Sequence, residues 1–252
     1  MAEMIVAVGL VALIGVAMAT LSTAAFQSSD FVEQSGEAMQ HARVAIARIQ
    51  RAVAAAHTSE EFPGFLVVSR PVSTYQFYDT LVVWLPDGEP ASPDGLPLAS
   101  ELVLFTYDES SPNRLVEITT PTLAVPTSST GDTAAWLALT ASMKTHPNAV
   151  VVQLSDLLHT ANVSGTGGGL RGVLQFAPFH QPSEQEWQDY QLGNTAFTEL
   201  PWVQGIHSSQ SGLRQSRVAF DFQLQGDRTA TATTATVIPF FGSAAVYYEL
   251  NP

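Results

Sequence analysis

Met4–Phe26, MIVAVGLVALIGVAMATLSTAAF, and the segment behind it, Phe31–His57, FVEQSGEAMQHARVAIARIQRAVAAAH, decide the fold between them. The first carries no charge, and Thr20, Ser22 and Thr23 are its only polar side chains. About 20 apolar residues in a helix cross a ~30 Å hydrocarbon layer, so this segment is long enough to span. Hydroxyls near its end are tolerable because they bond back to the preceding turn. In the second segment the pattern becomes one-sided. Met39, Ala42, Ile46, Ile49, Val53 and Ala56 recur at 3-4-3-4-3 spacing along one seam of a helix. Arg43, Arg48 and Arg51 fall off that seam. No proline separates the two segments, and Gly36 is the only weak joint. The spacing predicts one helix of roughly 50 residues, on the order of 80 Å long at ~1.5 Å per residue. Its second half is expected to dock on a folded domain through those six residues.

Glu3 stands immediately ahead of the uncharged run, which continues to Ser29. A carboxylate inside a spanning segment costs roughly 2.5–3.5 kcal/mol at mid-bilayer, so it requires a cationic or protonated partner. The plainer alternative leaves Glu3 solvated in the headgroup zone. Gly9 and Gly15 are six residues apart and do not form a small-xxx-small helix-pairing motif.

Composition narrows the function classes. The chain has 252 residues and a formal charge of −13, with a single lysine, Lys144, among ten basic residues. No basic stripe offers itself to phosphates, so nucleic acid is not an expected partner. The absence of cysteine excludes disulfides, thiolate metal sites and cysteine nucleophiles.

Ala2-Glu3-Met4-Ile5-Val6-Ala7-Val8, with the apolar run and GEAMQHARVAIARIQRAVAAA behind it, resembles the start of type IV pilins and type II secretion pseudopilins. The later half is similar to minor pseudopilin J and PilW-like minor pilins. The resemblance covers residues 1–57. It implies a structural filament subunit anchored in the bacterial inner membrane, with its head in the periplasm or on an extracellular filament. Its implied partners are sister subunits, inner-membrane lipid and, where an upstream leader is encoded, the prepilin peptidase and N-methylation. By position, Glu3 inherits the role of pairing with a neighbouring subunit's terminal amine. The family's basic leader, its closing glycine and the phenylalanine after the cut do not stand ahead of Glu3 here.

Residues 58–252 read as a β-rich head. Strands are expected at Phe65–Ser69, Gln76–Trp84, Glu101–Tyr107, Leu115–Thr119, Ala149–Leu154, Gly172–Phe176, Arg217–Leu224, Ala232–Ile238 and Ala245–Leu250. Glu101–Asp108 and Arg114–Thr119 form a predicted hairpin, and Pro86-Asp87-Gly88 and Pro93-Asp94-Gly95 mark turns. Val218, Phe220, Phe222 and Leu224 alternate onto one face. Short helices are expected at Thr133–Lys144 and Ser155–His159. The sum is an α+β fold, a long helix packed by its amphipathic half on an antiparallel sheet, as in pilin heads.

Nothing in the sequence argues for catalysis, a cofactor or a metal. His41, His57, His146, His159, His180 and His207 make no paired ligand motif. Ser142-Met143-Lys144 is one residue short of S-x-x-K, and no G-x-S-x-G occurs. A Ser-His-Asp set would have to assemble from distant parts. Asp87, Glu89 and Asp94, or Asp108 with Glu109, fall short of a calcium loop. The GTGGG run Gly165–Gly169 lacks the lysine of a phosphate loop. Trp84, Trp136, Trp187 and Trp202 are expected in the core or at sheet edges. Two rival readings treat the N-terminus as an address alone: a cleaved signal ending at Ala17-Met18-Ala19, or a plain anchor. Either would carry a membrane-anchored or secreted binding or hydrolase domain.

Overall fold

The computed structural model describes residues 2–165, 168–203, 212–226 and 236–251. Helix α1 (Ala2–Ala54) runs unbroken through Gly36, as the missing proline predicts, and ends three residues before the expected His57. The chain then turns at Gly64, whose φ of +90° and close neighbours Thr58 and Ala56 leave little room for a side chain.

Five antiparallel strands follow in simple order: β1 (Phe65–Val72), β2 (Tyr75–Trp84), β3 (Leu102–Tyr107), β4 (Leu115–Thr119) and β5 (Val150–Ser155). The predicted hairpin is β3–β4, with Val103 opposite Thr119 and Tyr107 opposite Leu115. Between β4 and β5 lies α2 (Thr133–Thr145), whose first turn is capped by the Asp132 carboxylate accepting from the Ala135 amide. This sheet is a middle layer, so its strands are apolar on both faces. Val82, Trp84, Leu102, Leu104, Val116 and Ile118 pack with Trp136 and Met143 on the α2 side. Leu81, Val83, Val103, Phe105 and Leu115 face the other way, into the larger core.

That larger core is closed by a second antiparallel sheet, ordered β10 (Val237–Glu249), β9 (Leu213–Gln225), β8 (Leu174–Gln181). Val218, Phe220, Phe222 and Leu224 of β9 all point into it, as their alternation predicts. β8 packs against β1 and β2, while α1 packs against β10, β5 and β9. The two sheets thus meet along one side, and the helix fills the opening on the other. A two-stranded ribbon, β6 (Thr160–Val163) with β7 (Gly169–Gly172), completes the strands.

Several expectations need correcting. The helix predicted at Ser155–His159 is absent: Leu157 and Leu158 are drawn into the core, and Leu158 bridges to Leu224 of β9. The Ser155 hydroxyl accepts from the Leu157 amide and makes the turn instead. Val237 and Ile238 of the strand expected at Ala232–Ile238 and Ala245–Glu249 of the one expected at Ala245–Leu250 belong to a single strand, β10, paired along its whole length with β9; residues 232–235 lie outside those described. Thr166 and Gly167 of the GTGGG run are also outside them. The strand expected at Gly172–Phe176 divides between β7 and a longer β8. A further helix, α3 (Glu184–Gln191), went unpredicted although its signal was present. Ser183 and Glu186 form a reciprocal capping box, the S-x-x-E signature of a helix start. All four tryptophans are buried.

His180, on β8, supplies a titratable element of the core. Its Nδ1 lies 3.0 Å from the Ser216 hydroxyl, its ring stands against Phe65, and burial with the nearby Arg214 charge pushes its pKa down to about 4. An unfolded histidine titrates near 6.5, so the unfolded chain binds the extra proton first as pH falls. Stability from the neutral ring is therefore complete above about pH 6.5 and is lost between there and about pH 4, on the order of 3 kcal/mol in all. Urea unfolding from pH 7.5 to 4.5 should show this slope in the native chain and a flatter one in His180→Gln; equal slopes would remove His180 as its source.

Candidate functional site

The structure divides α1 into two environments. The large apolar side chains described in its first part, including Met4, Val8, Leu13, Ile14, Leu21, Phe26 and Val32, are all exposed. This is one N-terminal helix long and apolar enough to cross a membrane, with a mean hydropathy of 2.0 in its most apolar window, none of which is covered by protein. Thr20 and Thr23 donate their hydroxyls to the Ala17 and Ala19 carbonyls, so these two polar side chains are satisfied within the helix. Glu3 lies in the first turn, where the helix dipole favours a negative charge.

From Gln34 onward the helix meets the head. Gln34 lies against Gly226 at the end of β9, and Ala38 is the first fully buried side chain. Ala38, Ala42, Ala45, Ile49, Ala52 and Val53 form the buried stripe. Three of the six residues expected to dock, Ala42, Ile49 and Val53, are in it, and Ile46 and Ala56 are half-buried against it. Met39 is not: it is 46% exposed. The correction has a physical cause. On alternate turns the buried position is an alanine one residue earlier, Ala38 in place of Met39 and Ala45 in place of Ile46, and its short side chain lets the helix backbone lie close to the sheets. The spacing of three and four is retained, with Ala42, Ile49 and Val53 shared and the alternate positions shifted by one residue.

An ion pair fixes this docking. Arg48, off the apolar stripe as predicted, donates Nε to Glu117 Oε2 at 2.6 Å and a terminal nitrogen to Oε1 at 2.7 Å. Glu117 projects from β4 and is almost wholly buried, and the two-point bond meets both of its carboxylate oxygens. Gln50 adds a bond to the Ser243 carbonyl of β10. Together these contacts join the helix to both sheets.

Elsewhere, His41 does meet a serine and an aspartate, but not as a catalytic set. Its Nδ1 faces both Ser155 Oγ at 3.2 Å and Asp156 Oδ1 at 3.7 Å, whereas a triad uses opposite ring nitrogens. Asp94 caps its own turn by accepting from Ser92 and the Leu96 amide, which holds its carboxyl below the usual range. Asp108 accepts from the Ser110 amide and hydroxyl, and Glu109 pairs with Arg70. Among the described residues no three acidic or histidine side chains converge as a metal site would require. A largely buried polar cluster that sequence reasoning missed straddles the first sheet, with Asp79 on the face of Leu81 and Val83 and Thr80 and Thr106 on the α2 face. It comprises Asp79 paired with Arg171, Thr80 bonded to Thr106, and Lys144 beside Glu109. Alternation alone could not locate it, since its members come from β2, β3, α2, β7 and a turn.

The displaced stripe makes a direct prediction. Ala45→Leu should destabilise the head by about 1–3 kcal/mol through overpacking, whereas Met39→Gln should change stability by no more than about 0.5 kcal/mol. Thermal unfolding of the full chain in detergent measures both, and the reverse order would restore the seam drawn through Met39.

No family model, curated protein or solved structure matches the chain.

Proposed function

We propose that this protein is a structural filament subunit, a minor pilin or pseudopilin of a type II secretion or type IV pilus-like assembly. In this reading it resides in the bacterial inner membrane with its head in the periplasm, and it polymerises through the apolar half of α1. Its partners are sister subunits, membrane lipid and, where a leader precedes Met1, the prepilin peptidase.

The observation that carries the proposal is the continuity of α1. The bare apolar half and the docked half belong to a single helix without a linker. A tether works equally well through a flexible joint. A rigid rod is what a helical array needs, because each head must follow the position of its own membrane segment. The Arg48–Glu117 bond serves the same purpose by preventing the rod from rotating in its seat.

Glu3 supplies the pairing charge. While the subunit is alone in the bilayer its carboxylate is costly, and a cationic partner on a neighbouring subunit relieves that cost. Replacing Glu3 with Ala should therefore leave membrane insertion and the folded head intact while abolishing co-assembly. Membrane fractionation and in-cell cross-linking between helices provide the two readouts; normal cross-linking by the Ala variant would overturn the role of Glu3. The mature N-terminus separates this reading from its rival. A chain beginning after Ala19 would identify an exported binding or hydrolase domain, and a methylated N-terminal residue supports the filament subunit.

A further inference from the structure

Lys144 is the only lysine in the chain, and every other basic residue is arginine. Where the fold needs a structural cation it uses arginine in a bonded or stacked geometry. Arg48 bonds Glu117 twice, and Arg171 pairs with Asp79 while lying over the Phe77 and Tyr107 rings. Lys144 fits this pattern poorly. Its amine is nearly buried, yet the two carboxylates around it are already met, Asp79 by Arg171 and Glu109 by Arg70. What remains for Nζ is the Thr80 hydroxyl at 3.2 Å, a long approach to Glu109 Oε1 at 3.5 Å and the Tyr107 ring at 5.9 Å.

An ammonium with so little compensation is unfavourable. Burial first, and the nearby Arg70 charge as well, lower the pKa of the amine against the opposing pull of the Asp79 and Glu109 carboxylates, and the Arg70 bond holds Glu109 below the usual carboxylate range. The amine and the carboxylate stand side by side, Nζ 3.5 Å from Oε1. They open on a cleft of about 360 Å³ between α2, the β3–β4 turn and β5. Val116, Ile118 and Val151 form its apolar wall, and Glu109 and Ser110 its polar rim. That volume lies within the range of small-molecule sites, roughly 300–1,000 Å³.

We propose that Lys144 is a covalent acceptor site for a small aldehyde or ketone with an apolar body, held in this cleft as a Schiff base. The Nζ lone pair forms a bond to the carbonyl carbon, and the carbonyl π pair moves to oxygen. Glu109 carries the two amine protons in turn from nitrogen to oxygen, the first giving the carbinolamine hydroxyl and the second allowing that hydroxyl to leave. The carbon–oxygen bond then breaks, the oxygen leaves as water, and nitrogen and carbon become doubly bonded. Amine and carbonyl give imine and water with no net oxidation or reduction. The apolar wall accepts the body of the ligand. An amine made nucleophilic by desolvation beside another cation is the established chemistry of such sites. The site lies on the head, away from the exposed apolar half of α1, and does not depend on the filament reading.

The test uses the full chain in detergent, butanal as the probe, and cyanoborohydride to reduce any imine to a stable amine. Peptide mapping by mass spectrometry should find the butyl group on Lys144, formed severalfold faster at pH 7 than on N-acetyl-lysine present in the same tube. Lys144→Arg should lose that adduct. Glu109→Gln should slow its formation, and Val151→Trp, which fills the cleft without touching an ion pair, should suppress it while the folded head keeps its melting temperature. An unmodified Lys144, or one trapped no faster than N-acetyl-lysine, overturns the proposal. So does undiminished trapping in the folded Val151→Trp protein.

Discussion

Most of the head is organised around the seating of Ala38–Val53 between two sheets that meet along one side only. Without the helix, Phe105 and Leu115 of the first sheet and Phe222 and Val246 of the second would face water across an open gap. Burial of Ile49 and Val53 contributes about 1.5–3 kcal/mol each. The alanines remove little area themselves. Their contribution is distance, because a short side chain at Ala38, Ala42, Ala45 and Ala52 lets the helix backbone approach both sheets and brings larger side chains into dispersion contact across it. The Arg48–Glu117 bond then fixes rotation about the helix axis, a degree of freedom that apolar contact alone resists weakly. Glu117 would be an expensive buried charge without Arg48, so pair and seat depend on one another.

The same seat gives the exposed half of α1 its meaning. The 23 uncharged residues Met4–Phe26 at ~1.5 Å each extend about 35 Å, slightly more than a hydrocarbon core. From Phe26 to the first buried residue, Ala38, the rod continues for about another 18 Å. That interval contains Asp30, Glu33 and Glu37, suited to the aqueous side of a bilayer. Because the seat is rigid, whatever holds the apolar half in place also sets the position of the head, and this coupling is the physical basis of the filament proposal.

Polar groups in the head follow two regimes. Near the surface, Asp94 and Asp108 act locally, satisfying the amides of their own turns. In the interior, Asp79, Arg171, Thr80, Thr106 and Lys144 gather from distant parts of the chain, where low dielectric makes each pairing consequential. Arginine settles its charges there by stacking and pairing. Lysine, a compact charge on a flexible stem, is left with a hydroxyl and a carboxylate that another residue already holds.

The sequence by itself determined the elements whose signal is local. The unbroken long helix followed from an absent proline and two apolar periods, the β3–β4 hairpin from its polar break, and the inward face of β9 from strict alternation. The α3 helix was equally legible in Ser183 and Glu186. Tertiary structure decided the rest. A periodic pattern states that a helix has a buried side but not which of two adjacent residues meets the sheets, so Met39 was expected inside while Ala38, Ala45 and Ala52 take buried positions beside the expected Ala42. Ser155–His159 has helix-compatible residues, yet pairing of Leu158 with Leu224 and burial of two leucines outweighed that local preference. The ion pairs Arg48–Glu117 and Arg171–Asp79, and the crowded setting of Lys144, join residues some 65 to 92 positions apart or more than one element distant. Only the folding of one sheet against a helix and a second sheet brings them together, because such pairing is fixed by packing and leaves no periodic trace in the chain.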